Sequence, residues 1–552
     1  MFDWVKDDLK NFGSYASSDS DINKLSEVDT DIVFIGSGIA STFTLIEFVN
    51  QLEEDYKKNS KNAINNPINI LVFEKDSWLW GGIPYGRRSG FTSLIITPLD
   101  EFLPENELSL FIKWMSENID WLIVPFKENA GPRSKKWLGN SEKKIRSGDS
   151  SKIHIPRYFF GIYVWEKLKL AMSNSSININ LDFVKAEVDS VTKNNVPGIK
   201  NFKLMVDAKH TFFTSQILLG VGIPQIRSLD DNKQLSGLVY FENPYYPDLV
   251  STIKKIEDQI RKEVTSNILI IGANASALEL IYQITNLNNL KNIDIRFSVL
   301  SPQGKLPDYF IKDKVTNFVA SKLQELSDTS GDLTADAILD AFKEDLYFAD
   351  NNNFDISDTL PIFTNHVGNL IKRLPKYEKY EFTKFHGIEI GRLQRRAGYE
   401  YTLPIKELLA INKINIIKGK FKSFSNNEGV TKVEFYKESQ NSPQSDYFDI
   451  VINCAGSAGL IDNGMSPLLR QLNESGLCKP TPSNHGLVVG NKFNAAPGFF
   501  INGPLLAGNV VGEMGIWHVE HTGRIIGFAK QIANNMIIEA GFKPDFSLKE
   551  DA

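Results

Sequence analysis

Only two cysteines, Cys454 and Cys478, occur in 552 residues. Two thiols can build neither a disulfide framework nor a cysteine-based zinc site, and a reducing compartment fits. No basic excess marks a nucleic-acid partner: 61 Lys and Arg stand against 67 Asp and Glu, a net charge of −6. No run of ~18 apolar residues occurs, so no membrane span is expected. The start of the chain carries Asp3, Lys6, Asp7, Asp8 and Lys10 with no apolar stretch behind them. A secretion signal is therefore not expected, and the cytoplasm is. What remains is an ordinary globular composition, 42% hydrophobic and 23% charged, in a chain too long for one core. Two or three domains are expected.

Strand and helix patterns organise the chain. "DIVFIGSGIASTFTLIEFVNQL" at 31–52 is an apolar run, a glycine turn and a helical pattern with Phe43, Ile46, Phe48 and Leu52. A polar loop at 58–67 and a second apolar strand, "INILVFEKD" at 68–76, complete a β-α-β unit. A second unit starts with "NILIIGANASALELIYQI" at 267–284 and continues into "IDIRFSVLSPQG" at 293–304. These patterns predict an α/β protein with two Rossmann-like dinucleotide-binding domains, the second inserted in the first. Residues 1–29 read as an extension, and 30–235 as the first part of the outer domain. Residues 236–424 read as the inner domain, with a polar insertion near 326–358 that carries a helical stretch near 334–346. Residues 425–552 return to the outer domain and end in an amphipathic helix.

The first turn is Gly36-Ser37-Gly38-Ile39-Ala40-Ser41. Glycine at 36 suits a tight strand-to-helix turn, and Gly38 lets the backbone approach a pyrophosphate seated on the helix N-terminus. Ser41 replaces the third glycine of the usual pattern and is small enough for helix–strand packing. Glu74 closes the next strand, where a carboxylate can bond ribose hydroxyls. "GGIPYG" at 81–86 follows, and Trp78, Trp80 and Tyr85 nearby point to burial rather than a loose loop. The second turn, Gly272-Ala273-Asn274-Ala275-Ser276-Ala277, is a degraded version. Asn274 stands at the second glycine, a residue type that tolerates a left-handed backbone. No carboxylate closes the following strand; Ser301 and Lys305 stand there instead and could accept a 2′-phosphate, favouring NADPH over NADH. His518 and His521 are three apart in the expected C-terminal helix, where packing or contacts with the edge of a bound ring system are favoured over a metal pair. Arg392, Arg395 and Arg396 form a basic cluster, read first as a solvated face.

Taken in order, "IGSGIAS", "GGIPYG", "IPRYFFGIYVWEKL" (155–168), "SPQGKLP" (301–307) and "INGPLLAGNVVGEMGIWHVEHTGR" (501–524) resemble a known family. It is the bacterial FAD/NAD(P)-binding-domain proteins related to the two-dinucleotide-binding-domain flavoprotein monooxygenases of the N-hydroxylating type. The resemblance spans nearly the whole chain. It implies that Gly36, Ser37, Gly38, Ala40 and Ser41 hold the FAD pyrophosphate. Glu74, with Lys75 beside it, would meet the adenosine ribose. Gly82 and Tyr85 would lie beside the isoalloxazine, and Gly503, Pro504 and Gly508 over its pyrimidine end. Gly272, Asn274, Ala275, Ser276, Ser301 and Lys305 are the corresponding NADPH positions, and Arg157 lies in a stretch of unassigned role.

Absences narrow the chemistry. No Cys-x-x-x-x-Cys follows the first unit, which excludes a pyridine-nucleotide disulfide reductase, and no Baeyer–Villiger fingerprint, F-x-G-x-x-x-H-x-x-x-W-P, is present. The expectation is a cytoplasmic FAD-dependent oxidoreductase, an NADPH-dependent monooxygenase that uses O₂ to hydroxylate a small molecule, at nitrogen or carbon. Two alternatives stay open: a flavin oxidase or dehydrogenase without nicotinamide, and a non-enzymatic flavin-bound redox sensor or partner-binding protein. No catalytic residue, metal site or substrate is named by the sequence.

Overall fold

The computed structural model describes residues 10–58, 66–194, 200–229, 239–288, 290, 293–427, 430–438, 440, 442–462, 465–518 and 521–542. The elements that frame the site begin with β1 (Thr30–Ile35), α1 (Ile39–Lys58), β2 (Ile68–Glu74), α2 (Pro132–Arg146), α3 (Arg157–Asn174), β3 (Ile179–Lys185) and β4 (His210–Leu219). Then come β5 (Thr265–Ile271), α4 (Ala275–Thr285), β6 (Asp294–Ser301), α5 (Ala335–Asn351), α6 (Ile356–Arg373) and α7 (Tyr399–Ala410). The last are β7 (Ile414–Asn427), β8 (Ile450–Asn453), β9 (Phe499–Ile501) and α8 (Thr522–Glu539).

Two mixed sheets with parallel centres carry the fold. The first runs β3-β2-β1-β4-β9, all parallel, and the second β7-β6-β5-β8, also parallel. Each central strand is a near-continuous apolar run because helices cover both faces. Val33, Phe34, Ile70 and Val72 are fully buried in the first sheet, and Ile268 and Ile270 in the second. Chain order reverses beside β1 and beside β5, so each glycine turn sits at the carboxyl end of a strand next to a switch point, where such sheets bind ligands.

The structure departs from the sequence reading in four places. The segment before residue 30 is not a bare extension: Tyr15 and Ala16 pair with Phe183 and Val184 at the edge of the first sheet, and a helix, Asp19–Ser26, follows. The boundary expected at 424 falls inside β7, and β8 pairs with β5, so strands of the second sheet run on to Asn453. The polar insertion carries a helix, α5, where a helical stretch near 334–346 is expected, but it is part of something larger. Ile338, Leu339 and Phe342 of α5 join Phe363 and Leu370 of α6, Phe318 and Phe382 in a separate small core. Its polar residues are helix caps: Thr334 accepts from the Ala337 amide, and Asp355 and Asp358 form a capping box. Finally, α8 starts at Thr522, with His521 as its cap and His518 outside it. The expected loop at 58–67 and the boundary at 235 fall largely outside the described residues.

Candidate functional site

Gly36 has φ +94°, and a Cβ there would stand 2.7 Å from the Gly220 carbonyl oxygen. This glycine is demanded by the turn itself. Gly38 differs, because a Cβ built on it meets nothing within 4 Å and its backbone is not left-handed. The space beside it lies at the N-terminus of α1, whose first-turn amides have no partner inside the helix. Glu74 reaches this turn from the end of β2: its Oε2 accepts from the Ser37 amide (3.0 Å) and hydroxyl (2.8 Å). Its Oε1 accepts from the Asp76 amide at 3.0 Å. Burial raises the Glu74 pKa, and these donors oppose the rise. A carboxylate offers about four acceptor positions, so a ribose hydroxyl can still be accommodated. Ser41 packs as a small residue should: a Cβ on Gly220 would come within 2.2 Å of its Oγ.

Two loops close over this turn. Gly82 (φ +58°) lies against it, its Cβ position 3.4 Å from the Gly38 Cα. The loop is pinned against α3, where a Cβ on Gly161 would stand 2.1 Å from the Tyr85 carbonyl oxygen. The Tyr85 hydroxyl lies 3.0 Å from Thr522 Oγ1, at the start of α8. From the other side, Asn502 donates to the Ala40 carbonyl (3.2 Å) and to Thr44 Oγ1 (2.9 Å), and a Cβ on Gly503 (φ +90°) would stand 3.2 Å from the Ala40 methyl. Gly36, Ser37, Gly38, Ala40, Ser41, Glu74, Gly82, Tyr85, Gly503 and the adjoining Pro504 are thus brought together. Two expected residues turn elsewhere: Lys75 faces Glu187 at 3.5 Å, and Gly508 makes room for Ser483 and Thr481. The sequence reading missed Asn502 and Thr522. Trp80, expected to be buried, is so at φ +63°, donates its amide to Ser37 Oγ at 3.3 Å, and has no partner for its indole nitrogen among the described residues.

The second turn is built differently. Gly272 (φ +113°) is required, since its Cβ would stand 2.0 Å from the Cys454 carbonyl oxygen. Asn274 is not left-handed, contrary to expectation; it is extended, with φ −117° and ψ −174°. It is the N-cap of α4. Its Oδ1 accepts from the amides of Ser276 (3.0 Å) and Ala277 (3.3 Å), and its Nδ2 donates to the Cys454 carbonyl (2.9 Å). The donors that would meet a pyrophosphate are therefore occupied by this side chain, between Ala275 and the strand end. Ser301 is buried with its hydroxyl accepting from the Gly304 amide at 3.1 Å. Lys305 pairs with Asp350 of α5 at 3.2 Å in an exposed position, an interaction of about 0–1 kcal/mol.

The remaining candidates resolve into structural roles. His521 accepts the Gly523 amide through Nδ1 (3.2 Å) and donates Nε2–H to the Glu101 carbonyl (2.6 Å). Burial lowers the His518 pKa to about 4 and also lowers that of His521. Among the described residues no group of three metal-ligating side chains occurs. Arg392 pairs with Glu389, whereas Arg396 turns inward to Glu101 Oε2 at 2.8 Å, so the basic cluster is not one solvated face. No described helix is long and apolar enough to cross a membrane.

Glu400, at the start of α7, faces His154 Nδ1 at 3.2 Å. Burial pushes Glu400 up to about 7 and His154 down to about 4, so the pair is uncharged at mildly acidic pH, between the two values, and Glu400 ionises around neutrality. A carboxyl raised in the fold contributes stability below its unfolded value, and that contribution is lost as pH rises through the folded value. The Glu400→Gln variant should therefore gain melting temperature over the wild type as pH rises from about 5 to about 7.5. A gain that shrinks over this range would mean a charged pair instead.

No family profile matches the chain. An uncharacterized protein of Mycobacterium tuberculosis (strain H37Rv) is 25% identical over 515 residues, covering 92% of this chain and 95% of its own. Among solved structures, L-lysine 6-monooxygenase from Pseudomonas syringae superposes with a TM-score of 0.52 at 12% identity, covering 92% of this chain and 99% of its own. Ornithine N-hydroxylase from Kutzneria sp. 744 gives 0.51 at 13% identity over 94% of this chain and 100% of its own; its structure contains reduced FAD, NADP⁺ and L-ornithine. Cadaverine monooxygenase from Erwinia amylovora, bound to FAD, gives 0.50 at 11% identity over 94% of this chain and 95% of its own. The chain has the fold of these flavin-dependent hydroxylases.

Proposed function

We propose that the chain is an FAD-dependent oxidoreductase, an NADPH-dependent flavin monooxygenase acting on a small molecule, with two dinucleotide-binding domains of which the second is inserted in the first. One observation carries the flavin assignment: Gly38 faces open space at the N-terminus of α1, and Glu74 reaches the same turn. FAD would be held by the Gly36–Ser41 backbone, with Glu74 toward the ribose and Gly82, Tyr85 and Gly503 around the ring system. The bound flavin would supply electron transfer and O₂ activation. This chain's residues would bind it, orient it and exclude water. The fold shared with lysine and ornithine hydroxylases supports hydroxylation, with nitrogen the favoured position.

Purified protein is expected to be yellow, to release FAD on heating, and to bleach under anaerobic NADPH. Colourless protein that takes up no FAD would end this reading. The Asn274 cap favours a second reading, a flavin oxidase or dehydrogenase in which substrate itself reduces the flavin. Bleaching by substrate but not by NADPH would select it.

A further inference from the structure

One face of α4 is polar where it should be apolar. Glu279, Gln283 and Asn286, spaced along a single helix face, are 1%, 7% and 6% exposed, yet each carries hydrogen-bonding groups. All three are directed at the first sheet's side of the molecule. The buried Arg157, at the start of α3, lies 3.2 Å from Glu279 Oε2 through a guanidinium nitrogen and donates its Nε to the Leu94 carbonyl at 2.9 Å. Tyr245 donates to the same Glu279 oxygen at 2.5 Å. Burial opposes the Arg157 charge, but Glu279 holds its pKa above the ordinary value.

One turn on, Gln283 accepts from Thr92 Oγ1 (2.9 Å) and donates to Ser93 Oγ (3.1 Å). Beyond it, Asn286 performs a task that α2 cannot perform for itself. The N-cap residue of α2 is Gly131, which has no side chain with which to cap. Asn286 Oδ1 supplies the missing acceptor, taking the amides of Arg133 (3.0 Å) and Ser134 (2.9 Å), while its Nδ2 donates to Ser134 Oγ (2.8 Å). A Cβ at 131 would stand 1.6 Å from the Asn286 carbonyl oxygen, so glycine is what allows this approach.

We propose that α4 is a fixed strut, and that the Arg157–Glu279 pair and the Gln283 and Asn286 bonds lock the second sheet onto the first in one orientation. Buried polar groups cost free energy when unpaired and define a single geometry when satisfied. A slip or rotation of α4 would orphan all of these groups at once. The lock joins the two turns: α4 begins at the second, and Arg157 lies one helical turn from Gly161, which seats the Tyr85 loop beside the first. Arg157 and Glu279 are thus positioning residues. Any nicotinamide must reach the flavin without rotation of one domain against the other.

The proposal rests on the reading above only in what the two turns bind; its test reads the orientation of the two sheets whether or not a dinucleotide binds. Cys454 and Cys478 are buried, and burial raises both thiols, Cys478 to about 12, so introduced exposed cysteines will take spin labels selectively. Leu170→Cys on α3 and Val264→Cys before β5 replace exposed residues on the two sides. Pulsed-EPR distances between them are expected to give one narrow peak, unmoved by FAD or NADP⁺. Adding Glu279→Gln, or Asn286→Ala should that variant fold poorly, is expected to abolish the single narrow peak. A broad or NADP⁺-shifted distribution in the otherwise wild-type protein would overturn the lock. So would a narrow peak that survives in both variants.

Discussion

Asn274→Gly is expected to tighten NADP⁺ binding. In the wild type the Ser276 and Ala277 amides are held by the Asn274 side chain at 3.0 and 3.3 Å. A pyrophosphate at the start of α4 competes with that internal cap for the same donors and for the same end of the helix dipole. Replacing an Asn cap by glycine costs a helix only a few tenths of a kcal/mol, because solvent and backbone reach the freed amides. The fold should therefore survive, at the loss of the bond to the Cys454 carbonyl. Displacing this asparagine costs a ligand those few tenths together with the bond to the Cys454 carbonyl, about 1 kcal/mol in all, so removing it should improve the dissociation constant by roughly fivefold. Asn274→Asp is the control with opposite sign. It keeps the cap and puts a negative charge where a phosphate would come, so binding should weaken. Titration calorimetry with NADP⁺ measures both. Equal or weaker binding in Asn274→Gly would show that the cap is no competitor; no binding by either protein would make the second domain a retained fold without its ligand.

The sequence made this turn visible but not its occupant. Gly272 and the strand–turn–helix pattern are local, and the structure keeps them. An asparagine two residues before a backbone amide at a helix start is also a capping pattern, yet the glycine fingerprint directed attention to backbone conformation instead. A comparable ambiguity affected β8. "DIVINCAG" is a short apolar run that either sheet could have accepted, and only its pairing with β5, some 180 residues earlier by the Asn453–Ile271 register, decides between them. Polar residues misled in the insertion as well. The periodicity of Ile338, Leu339 and Phe342 marks the helical stretch near 334–346, whereas the Asp- and Asn-rich composition conceals that Asp355 is the cap that starts α6. The seam along α4 was out of reach of periodicity altogether. Glu279, Gln283 and Asn286 look like a solvated face until the first domain is folded against them. At the first turn the sequence was most informative, because the stretches that meet there, 36–41, 81–86 and 501–508, each carry their own glycine pattern, although the contacts between them are distant in the chain.

Gly38→Val is expected to yield a folded, colourless protein. The two glycines of the first turn separate structural from ligand constraints. At Gly36 the backbone is left-handed (φ +94°) and a Cβ would collide with the Gly220 carbonyl at 2.7 Å, so Gly36→Ala should destabilise the protein whether or not a ligand is present. At Gly38 neither objection applies: the backbone suits an L-residue, and nothing stands within 4 Å of the added Cβ. The ligand-free protein should therefore melt within about 1 kcal/mol of the wild type, as substitutions into open space do. The valine methyls would, however, fill the approach to the α1 N-terminus, where a diphosphate must come close enough to accept from backbone amides at roughly 3 Å. A branched side chain holds that distance open, and each lost charge-assisted bond removes about 1.5–3 kcal/mol. Two such losses weaken binding by at least about a hundredfold, enough to strip flavin during purification. The measurements are the flavin-to-protein absorbance ratio after reconstitution and the melting temperature of the flavin-free protein. A Gly38→Val protein as yellow as the wild type would move the pyrophosphate away from this turn. One that fails to fold would mean that the open space beside Gly38 serves the chain and not a ligand.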